Sequence, residues 1–210
     1  GIALYYAKTE APSDASDEEK ANWVGEEYIT SDYSIASKTG REATGDIAPD
    51  VYGGFGTSLS FYGFDFSIQF AYQLGGKLYD NTYASMMHGG TPSEIGKNWH
   101  NDIANAWTPE NRFTDIPRLN NNDKYTNSQS DRWLVSSNYL SLNNITFGYT
   151  LPKSWVRAIG MNSIRIYGAA DNVALFSARK GMDPRKGIMS TTTSTYGTMR
   201  TISGGIKVTF

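Results

Sequence analysis

The chain has 210 residues, 21 of them glycine, with 13% aromatic and only 19% charged residues; its net charge of −2 gives no electrostatic case for binding nucleic acid. A mean hydropathy of −0.46, with no run near the roughly 20 apolar residues of a spanning helix, excludes a helical membrane protein. The lack of cysteine excludes a disulfide framework, thiol catalysis and a cysteine-ligated zinc site. A membrane β-barrel, in which lipid-facing and lumen-facing residues alternate, stays open, and so does a secreted sugar-binding β-sandwich.

In chain order, Gly1–Lys8 reads as the tail of a strand. It has neither the basic segment nor the cleavage site of a signal peptide, so the signal is expected upstream and the chain is expected to be part of a longer protein. Asp14–Lys20 is acidic and reads as solvated. Phe55, Thr57, Leu59 and Phe61 then alternate with Gly56, Ser58, Ser60 and Tyr62. After Gly63 the pattern resumes: Phe64, Phe66, Ile68, Phe70, Tyr72 and Leu74 alternate with Asp65, Ser67, Gln69, Ala71 and Gln73. Period two on both sides of a glycine predicts a hairpin of membrane-spanning length. In Trp133–Tyr149 the apolar parity changes between Leu140, Leu142 and Ile145, Phe147, Tyr149, predicting a β-bulge at Asn143-Asn144 or a switch of the buried face. Pro152 and Gly160 bracket one or two helical turns. Strands follow at Ser163–Phe176 and Thr201–Phe210.

The connections alternate between long and short. Polar stretches precede Tyr52, run from Asp80 to Asp131 and fill Ser177–Arg200, whereas the connections at Gly63 and Leu151–Asn162 are tight. Outer-membrane barrels have long extracellular loops and short periplasmic turns. With the C-terminus on the periplasmic side, every long connection falls outside. A soluble sandwich has no reason to sort its loops in this way.

Chemistry-bearing motifs are sparse. His88 and His100 are the only histidines and read as surface residues of one polar loop. No nucleophile elbow, phosphate loop or zinc-binding helix appears, and nothing selects an acid/base pair from Asp102, Glu110 and Asp115. Neither enzyme activity nor a cofactor nor a metal is expected. Trp99, Ile103 and Trp107 are spaced for a short amphipathic helix in the long loop. Tyr52, Tyr79, Trp133, Tyr149 and Trp155 suit aromatic girdles, while Asp65, Gln69 and Gln73 are placed to face a lumen.

Several strings together resemble SusC/RagA-type TonB-dependent receptors of Bacteroidetes. They are Pro49-Asp50-Val51-Tyr52-Gly53-Gly54-Phe55, Gly63-Phe64-Asp65-Phe66-Ser67, Gln73-Leu74-Gly75-Gly76-Lys77-Leu78-Tyr79-Asp80 and Ile116-Pro117-Arg118-Leu119, followed by Asn138–Pro152, Asp171-Asn172 and Lys180-Gly181-Met182-Asp183-Pro184-Arg185. They keep the family's order across nearly the whole chain, most weakly over Pro12–Gly25 and Gly187–Thr198. The resemblance implies an all-β fold: residues 1–210 as the C-terminal part, about six antiparallel strands, of an up-and-down transmembrane barrel of about 22. By the same resemblance the plug domain is expected upstream, outside this chain. It further implies TonB-dependent import of an oligosaccharide, or less often a peptide, across a Gram-negative outer membrane. The implied partners are a SusD-like surface lipoprotein, the TonB complex acting through the missing N-terminal part, the remainder of the barrel and outer-membrane lipid. Ile206, Val208 and the terminal Phe210 match the barrel-assembly signal, and Trp99 and Trp107 are the candidates for touching cap or ligand. A passive porin is a further alternative.

Overall fold

The computed structural model describes residues 1–186 and 197–210. The central part of the polar stretch Ser177–Arg200 thus lies outside the described residues. The strands are β1 (Tyr5–Lys8), β2 (Glu27–Thr30), β3 (Val51–Phe61), β4 (Phe64–Leu74), β5 (Lys77–Tyr79), β6 (Leu134–Ser136), β7 (Tyr139–Thr150), β8 (Ser163–Ser177) and β9 (Thr201–Thr209). The helices are α1 (Asp17–Ala21), α2 (Tyr33–Thr39), α3 (Asn81–Met86) and α4 (Lys153–Ala158). Two compact units result, one of residues 1–44 and 81–133, the other of residues 45–80 and 134–210.

The second unit carries a five-stranded antiparallel sheet in the order β3-β4-β7-β8-β9. Each strand pairs with the next one along the chain, so consecutive connections lie at opposite ends. Tyr62 (φ 47) and Gly63 (φ 86) close the β3–β4 hairpin. Two successive left-handed residues are what a two-residue turn matching strand twist requires. Between β7 and β8, α4 follows Pro152 and buries Val156, and Gly160 (φ 78) ends the turn. These short connections share one end of the sheet. The other end carries β5 and the segment after β8. Gly75 and Gly76, both with positive φ, separate β4 from the small β5–β6 ladder.

The predicted bulge is present and the face is kept. Ile145 pairs with Ile68 and Asn144 with Gln69, but Phe70 pairs with Leu142, leaving Asn143 as the extra residue. Opposite it on β8, Asn172 (φ 51) and Val173 drop out of the ladder. Two skipped residues preserve parity, and the Arg200 guanidinium donates to the freed Val173 carbonyl at 2.6 and 3.0 Å.

Some expectations need correction. Tyr5–Lys8 is not a strand of the large sheet: it pairs with Glu27–Thr30 in a separate two-stranded ladder, so the sheet has five strands rather than six. The strand predicted from Trp133 begins at Tyr139, because Trp133 ends a 3-10 turn in the first unit and Leu134–Ser136 pairs with β5. Trp133 is 1% exposed and belongs to a core rather than a girdle. Tyr52 shares a register row with Gln73 and therefore lies on the polar face. Trp99, Ile103 and Trp107 do not form an amphipathic α-helix: only Asn101–Asn105 is helical, as a 3-10 segment, and both tryptophans lie beyond it.

The first unit folds around Trp133, whose indole NH donates to the Ser128 carbonyl at 2.9 Å and whose ring meets Tyr83 edge-on. The Arg132 guanidinium lies 4.8 Å from the same ring. Tyr5 packs on Tyr33, which stacks on Tyr125, and burial foremost, with the nearby Asp123 carboxylate, pushes the Tyr5 phenol up to about 12. The acidic stretch includes α1, opened by a reciprocal Ser16–Glu19 capping box and without a buried residue. No helix among the described residues is long and apolar enough to cross a membrane, which says nothing of crossing by strands.

Candidate functional site

Register sorts the sheet into two unlike faces. One face carries rows such as Phe55/Phe70/Leu142/Ala174, Thr57/Ile68/Ile145/Ala170/Ile202 and Phe61/Phe64/Tyr149/Ile166/Ile206. Its rings pack on one another, with Phe55–Phe70 centroids 4.9 Å and Phe64–Tyr149 centroids 4.4 Å apart. Phe55, Leu59, Phe147, Ile166 and Ile202 are nonetheless exposed. The opposite face carries Tyr52/Gln73/Tyr139/Ser177, Gly56/Gln69/Asn144/Asp171/Thr201, Ser58/Ser67/Thr146/Ala169/Ser203 and Ser60/Asp65/Gly148/Tyr167/Gly205. Asp65, Gln69 and Gln73 share this face, as their spacing predicted. A strand alternating in this way satisfies two solvents at once, and a sheet of them makes a wall.

The polar face is cross-linked through its side chains. Arg165 Nε donates to Asp65 Oδ1 at 2.9 Å, reaching from β8 to β4 over the intervening β7. Gly148 lies between them, and a β-carbon there would fall 2.5 Å from Arg165 Nη2 and 2.6 Å from the Asp65 carboxylate. The Arg165 guanidinium also lies 5.0 Å from the centre of the Tyr167 ring. Across the bulge, Asn144 Nδ2 donates to Asp171 Oδ1 at 2.7 Å and Thr146 Oγ1 to Asn144 Oδ1 at 3.1 Å.

Toward the long-connection end, the segment after β8 returns onto this face. Arg185 forks onto Asp183, Nε to Oδ1 and Nη2 to Oδ2, each 2.8 Å, and its Nη1 donates to Ser141 Oγ at 3.0 Å. Burial alone would raise the Asp183 carboxyl, but hydrogen bonds from Arg185 and its charge, with a further bond from Thr198, hold it below the usual carboxylate range. The sequence motif contained Asp183 and Arg185, but their partners lie far along the chain and carried no local signal.

The tryptophans do not form one site. The Trp99 ring stacks on His88 with centroids 5.3 Å apart, its NH donates to the His88 carbonyl at 3.0 Å, and about half of it is exposed. Trp107 instead packs beside Gly1, and its backbone NH donates to Ile116. His88, expected on the surface, is 1% exposed: Nδ1 accepts the Gly90 amide at 3.2 Å beside the Glu94 carboxylate, and Nε2 has no hydrogen-bond partner. His100 is half-buried and bonds locally. Among the described residues no group of three or more potential metal ligands is assembled. Ile206 and Val208 lie on the apolar face opposite Ile166 and Ile164, and the side chain of Phe210, just past β9, is exposed.

No protein-family profile matches the chain. Two TonB-dependent receptors of Formosa agariphila are similar to it, one at 32% identity over 148 residues (70% of this chain, 14% of the relative) and the other at 27% over 186 residues (84% and 18%). Two solved structures of the RagAB system are also similar. The RagAB peptide transporter matches with a TM-score of 0.70 and 26% identity over 87% of this chain and 20% of that one; the RagAB peptide importer in its closed-closed state matches with a TM-score of 0.72 and 25% identity over 99% and 22%. The chain thus spans less than a quarter of the length of each of these four proteins.

Proposed function

We propose, from the premise that this chain belongs to the TonB-dependent receptor family in its SusC/RagA-type branch, that it is the C-terminal part of an outer-membrane barrel wall through which a nutrient oligomer is imported. The observation that carries this reading is the sheet with one exposed apolar face and one polar face, its connections sorted by length to opposite ends. The apolar face meets lipid and the polar face lines the lumen. The outer edges of β3 and β9 would be costly in lipid unless further strands paired with them, so the rest of a barrel of about 22 strands supplies those partners. A sugar-binding sandwich would cover Phe147, Ile166 and Ile202 with a second sheet; their exposure favours the barrel.

In this reading the protein moves its cargo without making or breaking bonds. A SusD-like lipoprotein captures the ligand outside, the TonB complex acts on a plug carried by another part of the protein, and Ile206, Val208 and Phe210 guide assembly. Oligosaccharide is the ligand class expected from the sequence; similarity to a peptide transporter makes oligopeptide the second candidate. The half-exposed Trp99 presents the better stacking surface for either, while the Trp107 ring packs beside Gly1.

The test uses cells making the full-length protein. Labelled oligosaccharide or oligopeptide is expected to enter only while the proton gradient is intact, and Trp99→Ala is expected to reduce entry several-fold. Uptake that survives a protonophore would place the protein with passive porins. Unchanged uptake by Trp99→Ala, at equal surface amounts, would remove Trp99 from ligand contact.

A further inference from the structure

We propose that residues 178–186 are a strap folded across the polar face, latched by Arg185 on Ser141, which narrows the import path at its long-connection end. This rests on the reading of that face as the lumen wall. The strap begins where Ser177, a polar-face residue of β8, places its hydroxyl 2.8 Å from the Met182 carbonyl and 3.0 Å from that of Arg179. That hydroxyl draws the chain back over the sheet instead of letting it continue along the strand. Gly181 (φ 88) provides the left-handed residue of the reversal. Arg179 Nε then donates to Asp80 Oδ2 at 2.9 Å, and Asp80 is buried.

The far end is held differently. Asp183 fixes the Arg185 guanidinium in a planar two-point fork, which leaves Nη1 aimed at Ser141. Ser141 is a polar-face residue, paired with Ala71 and Leu175, yet it is only 1% exposed. A small hydroxyl in an open lumen wall would be wet; here the strap lies over it. Ser141 Oγ also donates to Asn143 Oδ1 at 2.6 Å, so the latch is tied to the bulge residue. Met182 and Pro184 are buried, as expected of a segment that packs rather than projects.

The described chain has no cysteine, which permits a thiol test in the full-length protein cleared of any others. A charged, membrane-impermeant maleimide is expected to react slowly with Ser141→Cys, whose sulfur still accepts weakly from the Arg185 guanidinium over it, and at least tenfold faster once Arg185→Ala is added. Asp183→Asn, which loosens the fork without removing the latch donor, is expected to fall between. Phe147→Cys on the apolar face monitors the barrel itself: it should resist the charged reagent and react with a lipid-soluble one. A Ser141→Cys rate indifferent to Arg185, with Phe147→Cys still shielded, refutes the strap alone. Phe147→Cys reacting freely with the charged reagent overturns the barrel reading and the strap with it. If Arg185→Ala fails to assemble, the Asp183→Asn rate decides, and an unchanged value refutes the latch.

Discussion

Placing one arginine on each face of β4 tests the wall directly. The strand has 11 residues; at about 3.3 Å per residue and a tilt of about 45°, it rises roughly 23 Å, close to the ~25 Å apolar band of outer-membrane barrels. Ile68 lies four residues from Phe64, hence near mid-height, in the row Thr57/Ile68/Ile145/Ala170/Ile202. Ser67 is its neighbour in sequence but lies among Ser58, Thr146, Ala169 and Ser203 on the other face. Arginine at mid-membrane on a lipid face costs about 2–4 kcal/mol, about 30- to 700-fold in the folding equilibrium. On the polar face its cost is expected within about 1 kcal/mol, because the row is built of small side chains that leave the guanidinium room. Denaturant titration of the full-length protein in lipid vesicles, with the assembled fraction in cells scored by heat-modifiable gel migration, compares Ile68→Arg with Ser67→Arg. Equal penalties, or a larger one at Ser67, would refute the assignment of faces.

Two other outcomes follow from groups outside the large sheet. Trp133→Ala removes a fully buried indole and leaves the Ser128 carbonyl without its donor, a loss of about 3–5 kcal/mol; proteolysis within residues 81–133 of the assembled protein should accelerate by about a hundredfold or more, and a change below tenfold would contradict the core assigned to that loop. Because the Asp183 carboxyl is held below its ordinary value, its stabilisation is present above the unfolded pKa of about 4 and lost as pH falls through the lower folded value. Hydrogen exchange at the Met182 and Lys186 amides should stay slow from neutral pH to about 4 and accelerate only below it; loss of protection already near pH 6 would point to another titrating group.

The parts of the fold legible in the sequence were those whose partner is close by. The β3–β4 hairpin needed only period-two alternation on either side of Gly63, and α4 only its Pro and Gly boundaries. β3 begins at Val51, ahead of the Phe55 where alternation became visible, because Gly53 and Gly54 carry no hydropathy signal. Tyr5–Lys8 is a strand, as its sequence reads, but so short an extended segment looks alike whether its partner is a barrel neighbour or Glu27–Thr30. Trp99, Ile103 and Trp107 have helical spacing, but the tryptophans find separate partners, Trp99 on His88 and Trp107 beside Gly1, and only Asn101–Asn105 between them is helical. The site was less legible still. Asp65 and Arg165 are 100 residues apart and joined across a third strand, and the only local trace of that contact is the missing side chain at Gly148. His88 reads as a loop residue until that loop is seen to be long enough to bury part of itself.

The bulge shows why the parity change in β7 did not mean a change of face. Side chains alternate with period two, so an unbroken ladder through Leu140, Leu142, Ile145, Phe147 and Tyr149 would send one half of that series to the polar side. The extra residue Asn143 absorbs the offset against β4, and the two residues skipped on β8 absorb it on the other side without altering parity there. Phe70/Leu142/Ala174 and Ile68/Ile145/Ala170 therefore remain on one face. The bulge also collects the groups it displaces: Asn143 accepts from Ser141, and Val173 accepts from Arg200. Asn144 and Asp171 pair just beyond. A device that keeps the apolar face continuous thus places a polar cluster beside Ser141, where Arg185 arrives. The continuity of the apolar face and the contact of Arg185 with Ser141 meet at the same irregularity in β7.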